Sequence, residues 1–353
     1  MNAEPTEIRL AMLGMIEGNG HPYSWSAIVN GYDPGAMANC PYSAIPAYLI
    51  RQDQASVRIP GARVTHIWTD DPADAPKVAA ASLIEHIVRN PEEVIGQVDA
   101  VVIATDDGDD HVRRARPFVE AGLPVFIDKP MAINIPDLRQ FTDWHREGRV
   151  MLSTSGMRYA PEMRLSADQT GVIGDLRWIT SFTCKTWERY GIHALEAVEP
   201  LLGTGFLTVL ALSDAGGDVL HLTHRSGVRL TIGALHDAYG SFGAVHLYGT
   251  KGDLALKLTD TYQAFRGQLV AFIEMLRTGI RPLPFAETVE LMAVIIAGRR
   301  SREQGGAAIA VADVISELDP SNHPNPNHET ASLPNPSRTA RRPEPVHDQA
   351  QPQ

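Results

Sequence analysis

Between Ile8 and Ile127 the chain alternates short unbroken apolar runs with longer stretches in which apolar residues recur at helical spacing. The unbroken runs are Ile8–Leu13, Val64–Trp68, Ala100–Ala104 and Val125–Ile127. A run without polar alternation suits a strand covered on both faces, as in a parallel sheet. Ala75–Val88 and His111–Ala121 carry the helical pattern, and Gly122 follows as a stop signal. Strand and helix in alternation predict an α/β fold with a doubly wound parallel sheet over residues 1–150. Its ligand would sit beyond the carboxyl ends of the strands.

Residues 31–61 interrupt this rhythm with four prolines and three glycines. They read as an insertion, for which a substrate-facing lid and a plain surface excursion stand about equal. From about Leu152 glycine-punctuated strands dominate: Leu176–Thr183, Val219–His224, Val228–Gly233 and Ala244–Tyr248. Helical patterns recur at His193–Leu202, Tyr262–Leu276 and Phe285–Gln304. Residues 151–318 are therefore expected to form an α+β domain on an open, mainly antiparallel sheet. Residues 319–353 hold eight of the chain's 25 prolines and few large apolar side chains, the composition of a disordered tail. There is no internal repeat.

Composition narrows the function. With 353 residues, 44% of them hydrophobic, the chain can bury two ordinary cores. A net charge of −11 lacks the basic footprint that a nucleic-acid partner requires. No apolar stretch is long enough to span a membrane, and Met1–Leu10 does not read as a secretory signal. The two cysteines, Cys40 and Cys184, suit packed thiols in a reducing compartment, so a cytoplasmic location is expected.

A dinucleotide site needs glycines between the first strand and helix, where backbone meets pyrophosphate. Here the turn runs Gly14-Met15-Ile16-Glu17-Gly18-Asn19-Gly20. Ile16 occupies the second glycine of G-x-G-x-x-G. The spacing instead matches G-x-x-x-G-x-G of short-chain dehydrogenases, but their Tyr-x-x-x-Lys pair is missing. Asp70 and Asp71 close the second strand and are candidates for the adenosine ribose, which favours NAD over NADP. For His21-Pro22-Tyr23-Ser24-Trp25-Ser26, ligand contact and packing of the first helix both stay open.

The segment Val101–Pro130 runs apolar strand, Thr105, a polar loop with Asp106, then His111, a helix, Ala121-Gly122, a strand and Asp128-Lys129-Pro130. About sixty residues on stands Tyr190-Gly191-Ile192-His193-Ala194-Leu195-Glu196, and Gly249-Thr250-Lys251-Gly252 follows a later strand. In order and spacing this resembles the Gfo/Idh/MocA oxidoreductases, over roughly residues 7–318. The resemblance implies a Rossmann domain binding NAD(P), with Lys129 and His193 as the catalytic pair and a cis peptide at Lys129-Pro130. It also implies that Thr105, Asp106, His111, Asp128 and Lys129 line the cofactor, beside Gly14, Ile16, Glu17, Gly18, Asn19, Gly20, Asp70 and Asp71.

Two departures stand out. Four residues before its histidine the family often carries an aspartate, whereas this chain has Arg189. Arginine cannot accept a proton, so Arg189 is expected to bind substrate, with Tyr190, Trp187, Glu188 and Arg158 near it. Glu188 or Glu196 is then a candidate for the missing carboxylate. Asp128 replaces the family's usual glutamate and is expected to orient Lys129. No metal is expected, although His193, Glu196 and Glu199 recur at helical spacing; the aspartates at 106, 107, 109 and 110 lack an EF-hand pattern.

The resemblance implies hydride transfer between NAD(P) and a secondary alcohol of a sugar, inositol or sugar derivative, by a homodimer or homotetramer. Two alternatives remain. One is a redox-neutral lyase or glycoside-cleaving enzyme with tightly bound NAD. The second is a non-catalytic nucleotide-binding relative.

Overall fold

The computed structural model describes residues 7–319, so all but the first residue of the expected tail lies outside the described residues. Six strands form the first sheet: β1 (Ile8–Leu13), β2 (Ala62–Trp68), β3 (His86–Ile87), β4 (Ala100–Ile103), β5 (Val125–Ile127) and β6 (Met151–Leu152). All pairs are parallel, in the order β3-β2-β1-β4-β5-β6. The order reverses between β1 and β4, the switch point where doubly wound sheets bind ligands. Six helices accompany it: α1 (His21–Asn30), α2 (Pro34–Met37), α3 (Ala44–Leu49), α4 (Ala75–Ala81), α5 (His111–Glu120) and α6 (Ile135–Arg146).

The unbroken apolar runs have the expected cause. On β1, Leu10 and Met12 enter one core while Ala11 and Leu13 enter another; on β4, Val102 and Val101 divide the same way. Each strand is buried on both faces, so polar alternation would leave unpaired groups inside. Full burial of such a side chain contributes roughly 1.5–3 kcal/mol.

The second sheet holds β7 (Leu176–Cys184), β8 (Phe206–Asp214), β9 (Gly217–His224), β10 (Arg229–Leu235), β11 (Ala244–Gly249), β12 (Asp253–Lys257) and β13 (Ile309–Ala310). Its order is β12-β11-β7-β10-β9-β8-β13, antiparallel except for β7 with β10. Helices α7 (Ala167–Ile173), α8 (Trp187–Leu202), α9 (Thr261–Thr278), α10 (Phe285–Glu303) and α11 (Val311–Ser316) complete the chain. Among the described residues no helix is long and apolar enough to cross a membrane.

Four expectations need correcting. The helix predicted over Ala75–Val88 ends at Ala81, because Leu83 turns left-handed (φ 56) and the Asn30 amide takes the Ser82 carbonyl at 3.0 Å. The helix predicted from His193 starts at Trp187, whose buried indole donates to the Ile295 carbonyl at 2.9 Å and so anchors two earlier turns. The first sheet takes in Met151 and Leu152, just past the expected boundary at residue 150. The insertion, finally, is a packed layer: Met37, Ile45, Leu49, Val57 and Ile59 join one core with α1 and with Phe272 and Ile273 of α9.

Candidate active site

The glycine turn ends at the N-terminus of α1. Gly14 (φ 91) and Gly18 (φ 77) hold backbone angles that L side chains rarely adopt. The Met15 N–H donates to the Asp70 carboxylate at 2.9 Å, tying the turn to the end of β2. Asp70 also pairs with Arg114 of α5, at 2.7 Å. Its neighbour Asp71 accepts the Ala73 N–H at 2.9 Å in a local turn. The Asn19 amide donates to the Ala104 carbonyl at 3.1 Å and to Asp128 at 3.2 Å, and His21 Nδ1 lies 2.7 Å from Asp128. The turn is thereby fastened to the carboxyl ends of β4 and β5.

Lys129 emerges at the end of β5, and its peptide bond to Pro130 is cis. The second Asp128 oxygen accepts the Lys129 N–H at 2.7 Å, which orients the backbone at that residue. The Lys129 ammonium is almost wholly buried and lies 3.7 Å from Asp106, at the end of β4. His111 is fully buried. Its Nε2 faces the Thr105 carbonyl at 2.7 Å and its Nδ1 the Pro130 carbonyl at 2.9 Å, so the ring clamps the β4 loop to the Lys129 loop. Both ring nitrogens are engaged by backbone.

Helix α8 brings the other half of the site. Arg189, Tyr190 and His193 lie on its face toward Lys129, one turn apart. Arg189 donates to Asp106 at 2.5 Å. The Tyr190 ring has the Lys129 ammonium 4.9 Å from its centre on one side and meets the His193 ring edge to face at 4.9 Å. His193 Nδ1 lies 2.7 Å from Ser155 Oγ, which also accepts the Met157 N–H.

Charge sets the protonation states. Burial favours neutral Asp106, but Lys129 and then Arg189 outweigh it and hold the carboxyl down at about 2. Burial pushes the His193 imidazole well below its usual value, and the nearby cation of Lys129 pushes the same way, as do His21 and Lys185. His193 is therefore neutral at pH 7 and able to accept a proton. Burial raises the Tyr190 phenol, with Asp106 adding to it.

Three residues expected near substrate are elsewhere. Trp187 is fully buried against Gly191 and Gly298, on the far side of α8. Glu188 is bonded to Arg302 of α10. Arg158 is held by Glu196 at 2.6 Å, Glu199 at 2.5 Å and Glu287 at 3.2 Å. Glu196 is thus committed to Arg158 and does not reach Lys129. The carboxylate in the site belongs to Asp106, which approaches from the other domain.

Sequence reasoning missed Lys185 and Ser155. Lys185 follows β7 and is left-handed (φ 61), a conformation shared among non-glycine residues only by Leu83 within the described chain. Its ammonium lies 4.3 Å from the centre of the Tyr190 ring. No motif marks either residue; the signal was only that Lys185 sits in the break between a strand and the His193 helix.

The fold and the site define a two-domain protein whose first domain has the Rossmann fold, with a lysine from one domain and a histidine from the other meeting at one tyrosine. Residues 39–155 match the model of the oxidoreductase family with NAD-binding Rossmann fold, GFO_IDH_MocA. The match lies within the first domain and begins after the glycine turn. An uncharacterized oxidoreductase of Streptococcus pneumoniae serotype 4 is 26% identical over 191 residues, 46% of this chain and 48% of that protein. The chain thus aligns with about half the length of this curated relative.

Two solved structures show that the fold extends well beyond that segment. Apo scyllo-inositol dehydrogenase from Lactobacillus casei superposes with a TM-score of 0.68 at 14% identity, covering 88% of this chain and 100% of that one. An Agrobacterium radiobacter oxidoreductase, in complex with NAD+, L-tartaric acid and magnesium, gives 0.65 at 15%, covering 87% and 99%.

The residues present fit a dinucleotide. The N–H groups of Ile16, Glu17, Gly18 and Gly20 make no hydrogen bond among the described residues, which leaves four backbone donors at the turn. The buried Thr105 hydroxyl at the switch point is also without a partner there. Both features suit a bound anionic, hydroxyl-rich ligand.

Proposed function

We propose that the protein is an NAD(P)-dependent oxidoreductase acting on a secondary alcohol of a sugar, inositol or sugar derivative, with NAD as the preferred cofactor. The observation that carries this reading is the Tyr190 ring, which has the Lys129 ammonium from one domain and the His193 ring from its own helix each 4.9 Å from its centre. When bound, the nicotinamide ring supplies the hydride acceptor or donor.

Lys129 and His193 divide the handling of the proton. The buried Lys129 ammonium polarises the substrate oxygen, and neutral His193 takes the hydroxyl proton through Nε2, its Nδ1 being held by Ser155. Asp106 offsets part of the positive charge of Lys129, Arg189 and Lys185, so the site keeps a cationic surplus suited to hydroxyl-rich or anionic substrates. The acid at the end of β2 supports NAD, because it repels a 2′-phosphate.

The test is a panel of polyols, sugars and hydroxy acids with NAD+ and NADP+, followed at the NADH absorbance. Lys129→Ala and His193→Ala should each lower kcat/KM by about 100-fold or more. Activity at wild-type level in both variants overturns the reading. Product formed without NADH points to the redox-neutral lyase instead.

Homo-oligomer formation through the outer face of the second sheet is part of this proposal, since Leu212 (65% exposed) and Tyr248 (39%) lie there. Light scattering in solution tests it. A cytoplasmic location agrees with the free buried thiols Cys40 and Cys184.

A further inference from the structure

A diphosphate at a dinucleotide turn is ordinarily held by N–H groups in the first turn of the following helix. In α1 two of those donors are taken or missing. The His21 N–H donates to its own cap, Asn19 Oδ1, at 2.9 Å, and Pro22 has no N–H. The Asn19 N–H is spent on the Ile16 carbonyl at 3.1 Å. The Gly20 Cα is roofed by Tyr42 and Ile45, since a Cβ there would lie 2.6 and 2.7 Å from them. What remains among the described residues are the N–H groups of Ile16, Glu17 and Gly18 in the turn and those of Gly20 and Tyr23 at the start of α1.

A cation from the other domain stands over that stretch. Lys185 Nζ lies 3.9 Å from the position a Gly18 Cβ would occupy. The lysine makes no ion pair among the described residues; the nearby Asp106 carboxylate is taken by Lys129 and Arg189. Its backbone is fixed in the left-handed region, and its N–H donates to the His236 carbonyl at 3.3 Å. A non-glycine residue in that region is strained, and such strain clusters at ligand clamps. A surface lysine needs neither the strained backbone nor the approach to Gly18.

From this juxtaposition we infer that Lys185 is a cofactor-binding residue that clamps the diphosphate of the dinucleotide against Gly18, adding a cation from the second domain to the N–H groups of the turn. The inference rests on the dinucleotide reading above. Because Lys185 belongs to the second domain and also covers Tyr190, a bound diphosphate links the two domains across the site. The charge is near the catalytic group, so burial together with Lys129 and Arg189 lowers the Lys185 ammonium's pKa, an anion nearby being what would restore it.

Equilibrium binding tests it without turnover. NADH binding is followed by energy transfer from tryptophan to nicotinamide; ADP and adenosine are followed by competition. The variants are Lys185→Asn, which tolerates the left-handed backbone, and Lys185→Arg, which keeps the charge. Lys185→Asn should weaken NADH and ADP by about tenfold or more, leave adenosine unchanged, and be partly rescued in Lys185→Arg.

Wild-type affinity for NADH and ADP in Lys185→Asn overturns the inference. So does an equal loss for adenosine, which marks a general distortion of the site. If the unmodified protein binds neither NADH nor NADPH, the dinucleotide reading fails and this inference fails with it.

Discussion

Arg189 donates to Asp106 at 2.5 Å across the cleft between the two sheets, where the family resemblance led one to expect a carboxylate on the helix itself. The helix carries a cation at that position, and the loop after β4 supplies the anion. Asp106 is 2% exposed and serves Lys129 as well, so one buried carboxylate balances two cations.

Asp106→Asn should therefore cost about 3 kcal/mol of stability at pH 7, since it leaves buried Lys129 without its counter-ion. Arg189, at 36% exposure, recovers solvent and keeps the cost toward the lower end. The Asp106 carboxyl is depressed in the folded state, so its contribution is full above its unfolded pKa and fades as pH falls through about 2. Urea unfolding at pH 7 and pH 3 checks this. Equal stability of variant and wild type at pH 7 would remove Asp106 as the balancing charge.

Ser155 is a positioning residue for His193. Ser155→Ala should lower kcat about tenfold with KM little changed, and Ser155→Thr should restore most of it. His193 stays neutral well below pH 6.5, so the wild-type rate should hold steady as pH falls through that value. A sharp loss near 6.5 would show His193 titrating normally.

Glu196, Glu199 and Glu287 share one guanidinium, that of Arg158. Burial raises the carboxyls of Glu196 and Glu199 more than Arg158 lowers them. The unfolded chain releases these protons near pH 4.3, earlier than the folded one, so stability is lost as pH rises from there. Glu199→Gln should gain in Tm relative to wild type between pH 5 and pH 8. A Tm difference that is flat across that range contradicts the assignment.

Asp70 holds Arg114 and the Met15 N–H together. In Asp70→Ala the guanidinium is released beside the turn and the repelling acid is gone. The ratio of NADPH to NADH affinity should rise about tenfold or more, read by fluorescence titration. An unchanged ratio would place the discrimination elsewhere, with Asp71 the next candidate.

Gly191 admits the Trp187 ring, since a Cβ there would lie 2.3 Å from it. Gly191→Ala should cost about 1–3 kcal/mol and shift α8, which carries Arg189, Tyr190 and His193. Chemical denaturation measures the first effect and kcat the second.

Much of the fold was legible before any coordinates. Leu10 to Leu13 and Val101 to Ile103 are apolar without interruption because each side chain meets a core whichever way it points. Glycine placement marked the turn between β1 and α1, and the family resemblance singled out Lys129 and His193, which the fold brings to the Tyr190 ring. The length of α4 was misread because a tertiary hydrogen bond from Asn30 to the Ser82 carbonyl overrides a good local helix pattern. The insertion stayed open between a lid and a surface excursion because its few large apolar residues share a core with α1 and with α9, more than 200 residues on.

By itself, then, the sequence determined the doubly wound sheet and the strand-rich second domain, because burial patterns and turn chemistry are local properties of the chain; Lys129 and His193 became candidates only through the family resemblance. Tertiary structure alone decided the partners. It sent Glu196, Glu199 and Glu287 to Arg158, turned Trp187 into the core, paired Arg189 with Asp106 from 83 residues away, and set Lys185 over Gly18. The Coulomb energy of a charge depends on distance in space and on the dielectric around it, and neither quantity is written along the chain.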